Sequence, residues 1–149
     1  MRTILSCVDL SDASEAVVAC GCDLAAPGGR LFVLHVAAPE PAFVGYGVGP
    51  GSVRDDVARD LSVRHRATQT LAEAAAARTG CPVTPLTVQG VTVDAIVEHA
   101  ERLGAAFVVV ASAAHGALHA LLAGDVVQGV LRKATLPVVV VPHRPAPGA

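Results

Sequence analysis

Five short apolar runs alternating with amphipathic stretches constrain this chain more than any other feature. Thr3–Val8, Arg30–Val36, Val83–Val88, Ala106–Ala111 and Pro137–Val141 are rich in Val, Leu and Ile, as strands buried on both faces are. The stretches between them repeat at helical spacing. Ala13, Val17, Cys20 and Leu24 share one face, with Ser11 or Asp12 as N-cap and Pro27-Gly28-Gly29 as the stop. Val57, Leu61, Thr68, Leu71 and Ala75 line a second helix ending near Gly80. Val93, Ile96, Val97, Ala100 and Leu103 line a third, with Gly104 where a C-terminal glycine belongs. Val126, Val127, Val130, Leu131 and Ala134 line a fourth, ended by Leu136-Pro137.

The resulting order, β-α-β-α-β-α-β-α-β, predicts an α/β fold with helices on both faces of a parallel sheet. With 149 residues, one domain is expected over 1–143, followed by a loose tail at 144–149. In such a sheet, ligands sit beyond the carboxyl ends of the strands, at the point where strand order reverses. Chemistry is therefore sought in Asp9–Ser14, Ala37–Ser52, Gln89–Val91 and Ser112–Asp125.

Charge narrows the partners. The net charge is −2 with 11 basic residues, of which only Lys133 is a lysine, so no positive stripe for nucleic acid is present. The apolar runs fall far short of the ~20 residues that a membrane-spanning helix needs. Met1-Arg2-Thr3 runs directly into the first strand, which does not resemble a secretory signal. Cys7, Cys20, Cys22 and Cys81 form no Cys-x-x-Cys pair and read as small buried hydrophobes of a reducing compartment. A cytoplasmic protein is expected, and the preference for Ala, Val, Gly and Arg points to a bacterial source.

Three site patterns fail. The only lysine follows no glycine loop, so there is no phosphate-binding Walker motif. Gly45-Tyr46-Gly47-Val48-Gly49 meets Pro50 where a dinucleotide fingerprint needs its third glycine. Strand three ends in Gln89-Gly90, without the acceptor aspartate of a phosphorylated receiver.

Val108-Val109-Val110-Ala111-Ser112-Ala113-Ala114-His115-Gly116, Gly124-Asp125-Val126 and Leu136-Pro137-Val138-Val139-Val140-Val141-Pro142 together resemble the C-terminal half of the universal stress protein family. Ile4–Ser14 resembles its opening, where an Asp follows the first strand, and the likeness extends over residues 2 to 142. It implies a three-layer α/β/α fold, adenine nucleotide α-hydrolase-like, with strand order 3-2-1-4-5. It also implies a dimer formed through the last strand, here Val138, Val139, Val140 and Val141. For an ATP or AMP ligand it places Val8, Asp9 and Val36 on one side, with Ser112, Ala113, His115, Gly116, Gly124, Asp125 and Val126 on the other.

The phosphate loop departs from the family's pattern of Gly-x-x-Gly, nine residues, then Gly-Ser or Gly-Thr. Ala113 replaces the first glycine, only seven residues (Ala117–Ala123) separate Gly116 from Gly124, and Asp125 replaces the hydroxyl residue. A carboxylate at that helix start caps its own amides, a gain of roughly 0.5–2 kcal/mol, and occupies the positive helix end that would hold a phosphate. No Lys or Arg lies between Leu103 and Leu131 to offset it.

Several readings remain structural. His115 and His119 lack further metal ligands, and no metal site is expected. Ser11 and Ser14 read as helix-start residues, Cys7 and Cys81 as inert thiols, and His35 and His65 as core or core-edge residues. Asp9 is either a strand-end residue satisfied by backbone amides or a nucleoside contact. Within Pro39–Gly51, Phe43 and Tyr46 stand as a lid, a partner patch or parts of a loose connection. The expectation is a non-enzymatic, dimeric stress-response binding module with no catalytic residues and no bound cofactor, poor at binding ATP. Its partner is an unknown protein or small molecule. The alternative is an ATP/AMP-binding switch, with slow phosphohydrolysis third.

Overall fold

The computed structural model describes residues 1–39, 50–112 and 126–143. Its strands are β1 (Thr3–Cys7), β2 (Arg30–Ala37), β3 (Val83–Gln89), β4 (Phe107–Ala111) and β5 (Val138–Val141). Its helices are α1 (Ser14–Ala25), α2 (Pro50–Thr79) and α3 (Thr92–Leu103), and residues 126–133 form α4. The five strands make one parallel sheet ordered β3-β2-β1-β4-β5, as expected from the unbroken apolar runs.

Alternate strand residues feed two cores. Ile4, Val8, Leu31, Val33 and Val109 pack with Val17, Val18, Cys22 and Ala25 of α1 and Ala75 of α2. Leu5, Leu34, Val108 and Val110 pack on the other face with Ile96 and Ala100 of α3 and Val130 of α4. The period-two alternation of a strand thus divides each apolar run between two helical layers.

Several local expectations are corrected. α1 is rotated from the expected face: Ser14, Val17, Val18, Gly21, Cys22 and Ala25 are buried, whereas Cys20 and Leu24 are only partly so. The cause is Gly21, where a Cβ would collide with Ser6 Oγ and Leu31; the hydrogen atom lets α1 settle directly on β1. The N-cap of α1 is Ala13, which makes no side-chain cap, while Ser11 Oγ accepts the Ala13 N–H at 3.3 Å. Pro50 and Gly51 belong to α2 rather than to the preceding loop; proline suits a first helical turn because its missing N–H is unneeded there. Leu131 is 54% exposed, since it lies one helical step beyond the buried Val130. His65 is exposed, reaching from α2 to the edge strand β3, with its ring 3.1 Å from Thr87 Oγ1. Gly104 ends α3 as expected, in the left-handed region at φ 63°.

Candidate functional site

The site is created where the central strands part. β1 pairs with β4 only through Ile4↔Phe107, Leu5↔Val108 and Ser6↔Val109. Beyond Ser6, β1 stays with β2: Cys7 pairs with Leu34, and the Val8 N–H donates to the Leu34 carbonyl at 2.9 Å. β4 instead stays with β5, through Val110↔Val140 and Ala111↔Val141. This is the switch point of a 3-2-1-4-5 sheet, where crossovers leave in opposite directions and open a crevice.

The crevice holds a cavity of about 230 Å³. Val8, Asp9, Val36 and Val126, all expected there, line it together. Ser14 and Val17 of α1, Leu34 and His35 of β2, Thr92 and Ile96 of α3, and Cys7, Val110, Ala111 and Val127 complete the wall. No Lys or Arg is among these lining residues. Ser112 instead ties the end of β4 to the segment around β5. Its N–H donates to the Val141 carbonyl at 2.8 Å, and its Oγ accepts the His143 N–H at 3.2 Å. Ala113, His115, Gly116, Gly124, Asp125, Phe43 and Tyr46 lie outside the described residues, as does the tail at 144–149.

Asp9 holds a charge at the exposed side of the crevice. Burial opposes ionisation, but hydrogen bonds from the Ser11 side chain and backbone and from its own backbone amide outweigh it, so the carboxyl lies below its usual range. The Ser11 N–H reaches Asp9 Oδ1 at 3.0 Å, an Asx-type turn, and Leu10 between them adopts φ 65°. A leucine in the left-handed region is held there at a cost of about 1–2 kcal/mol; its side chain packs against the α1–α2 core. The strand-end reading of Asp9 is thus realised in its backbone contact.

Three further polar groups meet the crevice. Burial pushes the Cys7 thiol up to about 12, so it stays protonated and unreactive. Ser14 is 2% exposed, and its Oγ has no hydrogen-bond partner. His35 is buried, with Nδ1 2.9 Å from the Val8 carbonyl oxygen and Nε2 3.1 Å from Arg64 Nη1. Asp60 Oδ2 accepts from Arg64 Nε at 2.8 Å. At the neighbouring strand ends, His143 Nε2 lies 3.3 Å from Asp12 Oδ1, joining the segment after β1 to that after β5.

Sequence reasoning missed the contributions of Ser14, Thr92 and Ile96. Ser14 and Thr92 open helices that follow strands, and that position is itself a signal. Their direction into one shared cavity depends on how α1 and α3 close from opposite faces. Among the described residues, no cluster of three or more His, Cys, Asp or Glu side chains could hold a metal ion. Among those residues, no helix is long and apolar enough to cross a membrane.

The fold and this switch-point crevice define an open, doubly wound α/β protein with its cleft outside the carboxyl ends of β1 and β4. The sequence profile of the Universal stress protein family matches residues 1–142, and the chain belongs to that family. No curated protein sequence matches it. Among solved structures, it is similar to a universal stress protein in complex with cAMP, at 21% identity and TM-score 0.69, covering 96% of this chain and 98% of that one. It is similar to the hypothetical protein MJ0577, at 21% identity and TM-score 0.73, covering 97% and 98%. The universal stress protein of Archaeoglobus fulgidus in complex with dAMP is 22% identical, with TM-score 0.58 and coverage of 94% and 96%.

Proposed function

We propose that this protein is a non-enzymatic, dimeric stress-response module of the cytoplasm whose strand-end cleft takes an adenine mononucleotide and retains ATP poorly. The observation carrying this reading is the lining itself: apolar walls, the Asp9 carboxylate at the exposed side, and no lysine or arginine among the described lining residues. Apolar walls suit a flat base, and a carboxylate suits ribose hydroxyls, as in other nucleotide-binding α/β sheets. A polyphosphate needs cations or free helix-start amides, and the sequence segment preceding residue 126 offers the Asp125 carboxylate and no cation. The cAMP and dAMP complexes of structural relatives support the ligand class.

The polar groups of the cleft are poorly suited to catalysis. The Cys7 thiol stays protonated, and both His35 ring nitrogens are already engaged. Among the described residues of the cleft, no nucleophile therefore stands beside a free base. Dimerisation is assigned to β5, an edge strand whose Val140 is 38% exposed and which offers backbone groups on its outer side to a second copy.

Calorimetric titration with AMP, cAMP and ATP tests the ligand reading, together with ion-exchange chromatography of nucleotide released on denaturation. Tighter binding of the monophosphates supports it. Preferential retention of ATP, or divalent-dependent ATP turnover, would reject it in favour of the switch or the phosphohydrolase.

A further inference from the structure

The network from α2 reaches the cleft without lining it. Arg64 is half-exposed on α2, and Asp60, one turn earlier, holds its Nε at 2.8 Å. This ion pair leaves Nη1 directed at His35 Nε2, 3.1 Å away. A guanidinium only donates hydrogen bonds, so Nε2 must supply a lone pair. A carbonyl only accepts, so Nδ1, 2.9 Å from the Val8 oxygen, must carry the proton. Both contacts are satisfied by one neutral tautomer.

We infer that Arg64 is a positioning residue for the strand-end cleft: it holds His35 as the Nδ1–H tautomer, which ties down the Val8 carbonyl and so fixes the Val8–Asp9 end of β1. With the proton on Nε2 instead, a nitrogen lone pair would face a carbonyl lone pair and push them apart. Val8 and Asp9 both line the cavity, and Asp9 begins the Asx-type turn at its rim. Arg64 is not a lining residue, so its influence on a ligand runs through His35. The consequence for binding rests on the mononucleotide reading given above; the tautomer and the strand-end tether do not.

The test uses the full chain and its Arg64→Ala and Arg64→Lys variants. Nitrogen-15 correlation spectra of the ligand-free protein at pH 8 report the His35 tautomer directly. The wild type is expected to carry the proton on Nδ1, Arg64→Ala to show a tautomer mixture, and Arg64→Lys to restore the single form. Amide exchange at Asp9 and Leu10 is expected to quicken in Arg64→Ala by about 3- to 30-fold, the range for residues that act through a neighbour. AMP affinity is expected to fall by a similar factor, with rescue by lysine. An Nε2–H tautomer in the wild type, or unchanged tautomer and exchange in Arg64→Ala, overturns the proposal. A changed tautomer with undisturbed amides overturns it as well. If the wild type does not bind AMP, the mononucleotide reading falls, and tautomer and exchange decide the positioning role alone.

Discussion

Ser6 of β1 and Gly21 of α1 meet so closely that a Cβ on Gly21 would overlap the Ser6 hydroxyl. That hydroxyl is itself committed, donating to the Val17 carbonyl of α1 at 3.1 Å. Ser6 is also the last residue of β1 paired with β4. Helix and sheet therefore meet with no room for a side chain at the last residue before β1 and β4 part, on the same helix whose Ser14 and Val17 line the cavity.

Gly21→Ala is expected to destabilise the chain by about 1–3 kcal/mol, the usual cost of overpacking. Chemical denaturation measures this. Ser6→Ala removes one colliding atom, so the double variant should lose less than the sum of the two single losses. Strict additivity would show that the contact with Leu31 controls the site.

Ser14→Ala is expected to stabilise the ligand-free protein by about 1 kcal/mol, because it removes a buried hydroxyl with no partner. Affinity for AMP should fall in the same variant if that hydroxyl meets the ligand. Loss of stability in the ligand-free state would mean the hydroxyl is satisfied in solution, and would remove it as a ligand contact.

Alkaline pH should reveal the shifted Cys7 thiol. Its folded value near 12 lies above the ordinary 9.0. Between these values the unfolded chain loses the proton and the folded chain keeps it. Cys7 therefore contributes its full stability below pH 9, and that stability declines as pH rises, at about 1.4 kcal/mol per pH unit. Melting curves of wild type and Cys7→Ala should converge across this window. A constant difference would place the thiol in contact with solvent.

The sequence of residues 113–125 departs from the family's phosphate-binding pattern at Ala113 and Asp125. Replacing Ala113 by Gly and Asp125 by Ser removes a Cβ and a like charge, and should raise ATP affinity about 5-fold, equivalent to roughly 1 kcal/mol at a helix N-terminus. Calorimetry on the double variant checks this. Equal or weaker binding would reject self-capping by Asp125 as the obstacle.

If two copies pair through β5 as proposed, Val140→Lys should leave the protein monomeric, since it places a charge on the edge strand where a second copy would pair. Light scattering with size exclusion reads the mass. An unaltered dimer would move the interface away from β5.

Apolar patterning is enough to read the order of elements and the parallel sheet. Runs such as Ile4–Leu5 and Val108–Val110 are apolar at consecutive positions, so both strand faces seek a helical layer, and a parallel sheet with crossovers satisfies that demand. Asp9 is legible as a site residue because a strand end is visible where an apolar run stops, whereas Val36 is reached only through the family resemblance. The tertiary structure alone decided how side chains converge. The turn of α1 onto Gly21 depends on packing against Ser6 and Leu31, which periodicity does not encode. His35, 29 residues from Arg64 in the chain, reads in sequence only as another member of an apolar run. Its two ring nitrogens acquire their roles from Val8 and Arg64, groups brought within reach only when β1, β2 and α2 are packed together.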